Sequence, residues 1–380
     1  MPIEPIIKIL FIFSVMVMGL APIITWIERK QSAVMQDRIG ANRADLNGIT
    51  ILGLLHPAAD VIKLMMKEDM VPEGANRVMH MLSPLIAAVP AIMAFAVIPF
   101  GGVYVFGDTT LNLVGADIDW GLLYIFVLGS IAAYGNVVAG WSSNNNWSML
   151  GGLRASAQMI SYEVTMGLTI VGIFMVFQTL RLSDMALAQD TSFRVLGFLD
   201  VHFGLNWAWI DWIRLPAWGI IYQPLGFLMF LTAVMAENKR PPFDLPEGES
   251  EIIAGYHLEY SGMRFGLFFM SEFIEIILIA ALTTTLFLGG WAVPWLSTET
   301  IINGISSVMG TGFATGLCIL IHFVSFLLKV IFMIWVQMLI RWSLPRFRYD
   351  QVMSLCWKIL LPLSIANIFV TGAVLLWVKG

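Results

Sequence analysis

Residues 241–290 read PPFDLPEGESEIIAGYHLEYSGMRFGLFFMSEFIEIILIAALTTTLFLGG. The second part of this stretch, 263–290, is apolar and long enough to cross a bilayer, because a hydrocarbon core of about 30 Å needs about 20 helical residues. Seven other stretches share this length and character: 3–27, 78–100, 120–141, 158–180, 216–236, 311–340 and 357–378. The chain is therefore predicted to be an all-α integral membrane protein with about eight transmembrane helices.

The composition agrees with a membrane protein. Hydrophobic residues make up 58% of the 380 residues, charged residues 12%, and the mean hydropathy is +0.81. Leu, Ile, Met and Phe with scattered Gly favour helices over the alternating strands of a barrel. Residues 1–380 are predicted to form one polytopic membrane domain, with a basic inside loop over 28–77 and an acidic inside loop over 237–262. This leaves no room for a soluble catalytic domain, and no nucleic-acid partner is expected.

Basic residues predict the orientation. Fifteen of the 21 Lys and Arg residues fall in loops on one side of the predicted membrane, five on the other, and Lys329 lies within a span. The positive-inside rule places both termini outside. The first apolar run lacks a small-residue cleavage site and is interpreted as a retained helix. Cys318 and Cys356 are far apart, and the five histidines form no ligand-spaced pair, so neither a metal site nor a redox centre is expected.

The basic inside loop contains a predicted surface helix over 56–67. Its polar residues recur at steps of four, three and four, which places them in one stripe on a helix. They are His56, Asp60, Lys63 and Lys67. One interpretation is a helix lying flat among lipid headgroups. The alternative is a helix that frames an opening from the lipid into a cavity. The next inside loop, 140–159, is rich in Asn, Ser and Gly and predicts turns.

Ionisable residues within spans are functional candidates, because each costs about 2.5–3.5 kcal/mol on insertion scales. Glu272 and Glu275 are three residues apart and share a helix face. Glu163 points away from the polar face of its own helix, so its partner is expected on another element. Lys329 is predicted to pair with a carboxylate, and Glu272 or Glu275 is the candidate. For each group, a purely structural ion pair or hydrogen bond is the alternative to proton transfer.

The acidic inside loop gathers carboxylates beside the membrane, where like charges repel and separate their pKa values. They are Asp244, Glu247, Glu249, Glu251 and Glu259. Three prolines forbid a continuous helix here, and a broken backbone at membrane depth persists only when buried in protein or lining water. The alternative is an ordinary solvated loop. Tyr256, His257 and Tyr260 add proton-capable groups and favour a lined cavity.

Five motifs resemble the membrane subunit of respiratory complex I that houses the quinone chamber. This family comprises the bacterial NADH:quinone oxidoreductase H subunit and mitochondrial NADH dehydrogenase subunit 1. The motifs are ERK (28–30) with DRIGANR (37–43), GLLHPAADVIK (53–63), GGLRASAQMISYEV (151–164), PFDLPEGESE (242–251) and RFRYDQVM (346–353). They are spaced from end to end and cover essentially the whole chain. Ala41, His56 and Pro241 depart from the residues usual in the family.

The resemblance implies a set of roles for particular residues. A hydrophobic quinone, ubiquinone or menaquinone, would enter from the bilayer as substrate. The entrance and tunnel would be lined by Arg29, Arg38, Asp60, Lys63 and Asp244. A proton and charge relay would lead inward through Glu163, Glu237, Glu247, Glu249, Glu251, Glu259, Glu272 and Lys329. No cofactor is expected on this chain alone, because the iron–sulfur cluster and FMN would belong to partner subunits.

The resemblance also implies partners and a mechanism. Soluble iron–sulfur and quinone-head-binding subunits would sit on the inside face, with small membrane subunits and antiporter-like subunits in the bilayer. Quinone reduction would change local charge, and coupled titration would pass that change between neighbouring carboxylates. The expected location is a bacterial inner (cytoplasmic) membrane. The alternatives are the membrane subunit of an ion-translocating hydrogenase, a standalone ion carrier, which commonly shows inverted repeats not seen here, and a passive anchor.

Overall fold

The computed structural model describes residues 8, 10–11, 13–45, 48–106, 109–194, 214–246, 248 and 252–379. Its α-helices are numbered here in chain order. The first are α1 Ala21–Met35, α2 His56–Met66, α3 Arg77–Ala94, α4 Gly121–Ser142, α5 Asn146–Phe177 and α6 Leu182–Ala188. They are followed by α7 Gly219–Tyr222, α8 Pro224–Glu237, α9 Gly262–Phe287, α10 Thr298–Met309, α11 Thr311–Ser343, α12 Tyr349–Ser354 and α13 Leu361–Lys379.

Short helical turns of other pitch extend several of these helices. A π-helical stretch, Phe13–Leu20, leads into α1, and another, Leu355–Leu360, joins α12 to α13 in one continuous rod. Single 3₁₀ turns are formed by Ile51–Gly53, Phe95–Val97 and Gly255–His257.

Six helices in the described part of the chain are long and apolar enough to cross a membrane, and each coincides with a predicted span. They are Arg77–Val97, Gly121–Ser142, Asn146–Phe177, Gly262–Phe287, Gly312–Ser343 and Tyr349–Val378. This confirms the predicted all-α membrane fold. The count of eight spans and the outside position of both termini stay predictions.

The other two predicted spans differ from simple crossing helices. Part of the first, 3–27, lies outside the described residues, and the helix that follows continues to Met35. The span predicted over 216–236 consists of α7 and α8. Pro224 starts α8 because its missing N–H costs nothing in a first helical turn. The 14 residues of α8 rise about 21 Å at about 1.5 Å each, less than the hydrocarbon core.

The turns predicted over 140–159 are mostly helix in the structure. Only residues 143–145 separate α4 from α5, and the Asn145 side chain caps α5 by accepting the Trp147 N–H at 2.9 Å. The glycines here serve packing instead of turning. A Cβ on Gly140 would lie 2.6 Å from the carbonyl oxygen of Ser148. The same composition therefore permits two helices to approach closely.

Helix α9 is the most buried of the six crossing helices. It packs against α1, α2, α3, α6 and α11, while α5 packs against α4, α8 and α13. Both Glu272 and Glu275 are on α9, so the fold carries these acids into the centre of the bundle.

Two short antiparallel hairpins depart from the helical pattern. Strand β1 (Val103–Phe106) pairs with β2 (Thr109–Asn112), and β3 (Ser192–Arg194) pairs with β4 (Arg214–Pro216). The first hairpin is fastened to α11, because the Tyr104 hydroxyl is 2.5 Å from His322 Nδ1. In the long loop predicted over 181–215, helix α6 and the second hairpin are described, and residues 195–213 lie outside the described residues.

Candidate functional site

Most of the described part of the acidic inside loop over 237–262, the acidic segment, is buried or half-buried. Phe243, Asp244 and Leu245 are buried. The Gln158 side-chain amide, in α5, donates to the Ala236 and Phe243 carbonyls, both at 2.7 Å. This burial is what the broken-helix argument predicts. The predicted relay residues Glu247, Glu249 and Glu251 lie outside the described residues.

A pocket of about 430 Å³ opens beside this segment. Its lining combines an acid, a histidine, two arginines and an aromatic ring: Pro241, Asp244, Ala254, His257, Arg341, Trp342 and Arg346. Arg346 Nη2 donates to Asp244 Oδ2 at 2.6 Å. The other oxygen, Oδ1, is buried and accepts no hydrogen bond from the described residues.

Burial determines the protonation of this pocket. It raises the pKa of Asp244 to about 6, although the Arg346 guanidinium acts in the opposite direction. Burial also lowers the pKa of His257 below its ordinary value. The pocket therefore contains a carboxyl group that can take up and release a proton near neutral pH.

Sequence reasoning missed a buried group of three charges next to this pocket. Glu28 follows the first apolar run, and both its carboxylate oxygens are 3.2 Å from Arg240 Nη1. Arg341 Nη1 also donates to Glu28 Oε1. The Glu28 side chain is only 12% exposed. The available signal was its place in the ERK motif just after the predicted span 3–27, where a charged residue is commonly an interface anchor.

A second, enclosed cavity of about 40 Å³ lies deeper in the bundle. Its walls come mainly from α3, α4, α5 and α9 and are largely apolar. The polar groups that line it are Glu237, Asn238 and Glu275. Glu237 Oε2 and both side-chain polar atoms of Asn238 are buried without a hydrogen-bond partner among the described residues. Because a water needs a cavity of roughly 10–15 Å³, the space suffices for water beside these groups.

Two further predicted relay residues, Glu163 and Glu272, contact or interact with neighbours of this cavity. Glu163 accepts a hydrogen bond from the Ser130 hydroxyl of α4, which confirms that its partner comes from another helix. Glu237 interacts electrostatically with both Glu163 and Glu275. Glu272 faces another neighbour and accepts a hydrogen bond from the Tyr256 hydroxyl at 3.2 Å. The structure therefore gathers Glu163, Glu237 and Glu275, with Glu272 toward the acidic segment.

Glu259 occupies a separate position at the entry to α5. Its carboxylate accepts a hydrogen bond from Asn145 Nδ2 at 2.6 Å, while the other polar atom of the same amide caps α5. Asn145 therefore ties the end of the acidic segment to the start of a crossing helix.

The predicted pairing of Lys329 with Glu272 or Glu275 is wrong. The Lys329 amine donates to three backbone carbonyls: Leu288 at 2.8 Å, Gly290 at 3.0 Å and Ala292 at 2.5 Å. These carbonyls follow the last turn of α9, where helical partners end. A cation satisfies them and suits the negative end of the helix dipole.

Only some of the predicted entrance residues contact one another in the structure. Helix α2 begins at His56, near the predicted start, and Asp60 forms a salt bridge with Arg29. Lys63 is exposed, and Arg38 donates to Gln36 Oε1 at 2.7 Å instead of joining that pair. Exposed apolar side chains at one helical spacing run along α2: Val61, Ile62, Met65 and Met66. They suit contact with lipid.

Two other observations bear on cofactors. Cys318 and Cys356 are both buried free thiols. Across the described ranges, no group of three or more His, Cys, Asp or Glu side chains is placed to hold a metal ion.

Comparisons with known proteins agree over nearly the whole chain. The NADH dehydrogenase family model matches residues 7–372. The NADH-quinone oxidoreductase H subunit of Bdellovibrio bacteriovorus is 41% identical over 379 residues, covering 97% of this chain and 95% of the relative. The corresponding H 1 subunit of Geobacter metallireducens is 43% identical over 373 residues, with coverages of 97% and 95%. The H subunit of Thermomicrobium roseum is 41% identical over 370 residues, with coverages of 97% and 96%. The chain therefore belongs to the NADH dehydrogenase family, together with these H subunits of NADH-quinone oxidoreductase.

Proposed function

We propose that this chain is the membrane subunit of a proton-pumping NADH:quinone oxidoreductase, where it lines the quinone path and relays charge through buried carboxylates. The observation that carries the proposal is the enclosed cavity bordered by Glu237 and Glu275, with Glu163 close enough to interact electrostatically. Acids at membrane depth are costly, and a functional role is their default interpretation. Each of the three comes from a different helix, α8, α9 or α5.

The pocket beside the acidic segment suits the ring of a quinone. Trp342 offers an aromatic face, and the guanidinium groups of Arg341 and Arg346 offer donors to carbonyl oxygens. Asp244 titrates near neutral pH at the same place. In the proposal, ubiquinone or menaquinone enters from lipid past Arg29, Arg38, Asp60 and Lys63 and reaches this pocket. The apolar face of α2 supports a lipid-side entrance.

The proposed relay leads from the pocket into the bundle. Glu259 and Glu272 lie toward the acidic segment, and Glu237, Glu275 and Glu163 follow at the enclosed cavity. A change of charge on one group alters proton binding by its neighbours. The resemblance keeps three further acids in the proposal: Glu247, Glu249 and Glu251. Lys329 is included as the cation that holds the end of α9, the helix carrying Glu272 and Glu275.

The proposed electron carriers and ion pumps belong to other subunits. Soluble partners on the inside face would supply FMN, iron–sulfur clusters and the groups that hold the quinone head. Small membrane subunits and antiporter-like subunits would receive the charge signal within a bacterial inner membrane. The chain would act as a subunit without a redox centre of its own.

The test is Glu237→Gln in membrane vesicles that contain the whole complex. Assembly is checked on a native gel, and inhibitor-sensitive NADH:quinone reductase activity and proton pumping are measured. We expect an assembled complex whose pumping falls by about tenfold or more, because one proton-transfer group is lost. Glu299→Gln is the matched control, since Glu299 is an exposed acid in the first turn of α10. Full pumping by an assembled Glu237→Gln complex would contradict the relay.

A further inference from the structure

We propose that Glu28, Arg240 and Arg341 form a charge switch between the quinone pocket and the carboxylate relay, with Glu28 as the positioning residue. This inference rests on the proposed function. The three residues come from α1, from the turn after α8 and from α11. Their contacts therefore join α1 to the acidic segment and to α11, the helix that bears one wall of the pocket.

Some buried donors of this charged group have no hydrogen-bond acceptor among the described residues. One carboxylate serves two guanidinium groups: Glu28 contacts Arg240 Nη1 at 3.2 Å and also accepts from Arg341. Arg240 is only 8% exposed, yet its Nε and Nη2 donate to none of the described residues. Gln337 Nε2, beside the same small cavity, is a third donor without an acceptor in the described part of the chain. Buried donors without partners are unfavourable, so this arrangement is open to exchange of acceptors.

Arg341 connects this group to the substrate side. It lines the pocket of about 430 Å³ and contacts Glu28 at the same time. An electron-rich oxygen on a ring in the pocket would therefore compete with Glu28 for the same guanidinium. In the pocket, Asp244 is already paired with Arg346, so among the described contacts Glu28 is the carboxylate that neutralises Arg341.

Arg240 connects the group to the relay side. Its guanidinium carbon lies 4.7 Å from the centre of the Phe273 ring, next in sequence to Glu272. Arg240 also interacts electrostatically with Glu275. A change in how fully Arg240 is neutralised would therefore act on a carboxylate of the enclosed cavity, since a nearby positive charge favours the ionised acid.

These contacts define the two states of the switch. In the structure, Glu28 divides its charge between Arg240 and Arg341. When an oxygen of the quinone takes a donor from Arg341, Glu28 is left to Arg240 and neutralises it more completely. Glu275 then loses part of the positive field that favours its ionised form and takes up a proton, which arrives from water on the inside face. Occupancy of the pocket is thereby transmitted to the relay without a covalent step.

The test is Glu28→Gln in the assembled complex, with KM for the quinone, kcat and the number of protons pumped per NADH as readouts. Glutamine competes weakly for Arg341, so we expect KM to fall by about tenfold, the factor one charge-assisted hydrogen bond contributes. Fewer protons are expected per NADH, because pocket occupancy no longer changes the field at Arg240. A residue needed only for folding would not lower KM while reducing pumping.

Glu28→Asp supplies a second variant that keeps the charge and shortens its reach. We expect its KM and pumping to lie between those of Glu28→Gln and the unchanged chain. Asp350→Asn is the control, because Asp350 forms an exposed ion pair with Arg348 and lies outside the proposed machinery. It should change neither value.

The outcomes separate this inference from the function on which it rests. An unchanged or raised KM, or full pumping, in an assembled and active Glu28→Gln complex would overturn the switch alone. Failure of both Glu28 variants to assemble would assign the group to folding and also overturn it. Absence of NADH:quinone reductase activity in the complex with the unchanged chain would overturn the proposed function itself.

Discussion

The Lys329 amine donates to the carbonyl oxygen of Leu288 at 2.8 Å, so a cation from within α11 caps the end of α9. The carbonyls of Gly290 and Ala292 accept its other two hydrogen bonds. Leu288 follows the last turn of α9, and Gly290 and Ala292 lie beyond it, so these carbonyls have no partner within the helix. Lys329 thereby fixes the end of the helix that carries the acids of the candidate site.

We expect Lys329→Met to destabilise the assembled complex. Three buried carbonyls would lose their donor, and each unsatisfied group costs about 1–3 kcal/mol. The measurement is the apparent melting temperature of the purified complex, with dissociation of this subunit as the signal. Lys358→Met is the control, because Lys358 is exposed on the last membrane helix. An unchanged melting temperature together with impaired pumping would place Lys329 in proton transfer instead.

A close contact between two backbones holds the acidic segment against α5. A Cβ added to Gly151 would lie 2.6 Å from backbone atoms of Gly255, nearer than side chains pack. The backbone of α5 therefore touches the backbone of the acidic segment only because residue 151 has no side chain. This contact sets the position of Tyr256, whose hydroxyl donates to Glu272.

We expect Gly151→Ala to lower quinone reductase activity while the complex still assembles. The added methyl group pushes the acidic segment away, and overpacking of this kind typically costs about 1–3 kcal/mol. Gly167→Ala is a matched control on the same helix, because a Cβ at Gly167 meets nothing within 4 Å. Equal activity of the two variants would show that the position of the segment does not matter for turnover.

The membrane fold could be predicted from composition because crossing helices need long apolar runs, and six predicted spans recur in the structure. The ends of the helices were harder to predict from the sequence. Gly140 and Gly152 resemble turn residues in sequence, but in the structure they allow α4 and α5 to pack closely. The sequence alone does not distinguish a glycine that permits a positive φ from a glycine that permits close packing of helices.

The partners of the charged groups could also be predicted only in part from the sequence. Helical geometry predicted that the partner of Glu163 lies on another element, and Ser130 fills that place. Charge pairing predicted Glu272 or Glu275 as the partner of Lys329 and was wrong, because the amine donates to carbonyls beyond the end of α9 that no sequence pattern displays. The carboxylate that interacts electrostatically with Lys329 is Asp190. Glu28 was missed for a related reason: its two arginines are more than 200 residues away along the chain.

Asp244 is expected to make activity depend on pH near 6. Its ordinary pKa is 3.8, and burial raises it to about 6 in the folded protein. Because the folded value is the higher one, its contribution to stability is fully present below 3.8 and is lost as pH rises through about 6. When the pH falls from 7, the Asp244 carboxylate takes up a proton and the Arg346 guanidinium loses its anionic partner. The pocket beside the acidic segment becomes more positive by one charge.

We therefore expect kcat/KM for the quinone, measured in membrane vesicles between pH 5 and 8, to show a step near pH 6. Asp244→Asn should remove this step, because the amide does not titrate. Asp350→Asn should keep it, since that acid is exposed and paired outside the pocket. His257 lines the same pocket, and burial lowers its pKa below the ordinary value. A step that persists at the same pH in Asp244→Asn would assign the titration to another group and remove Asp244 from the pocket chemistry.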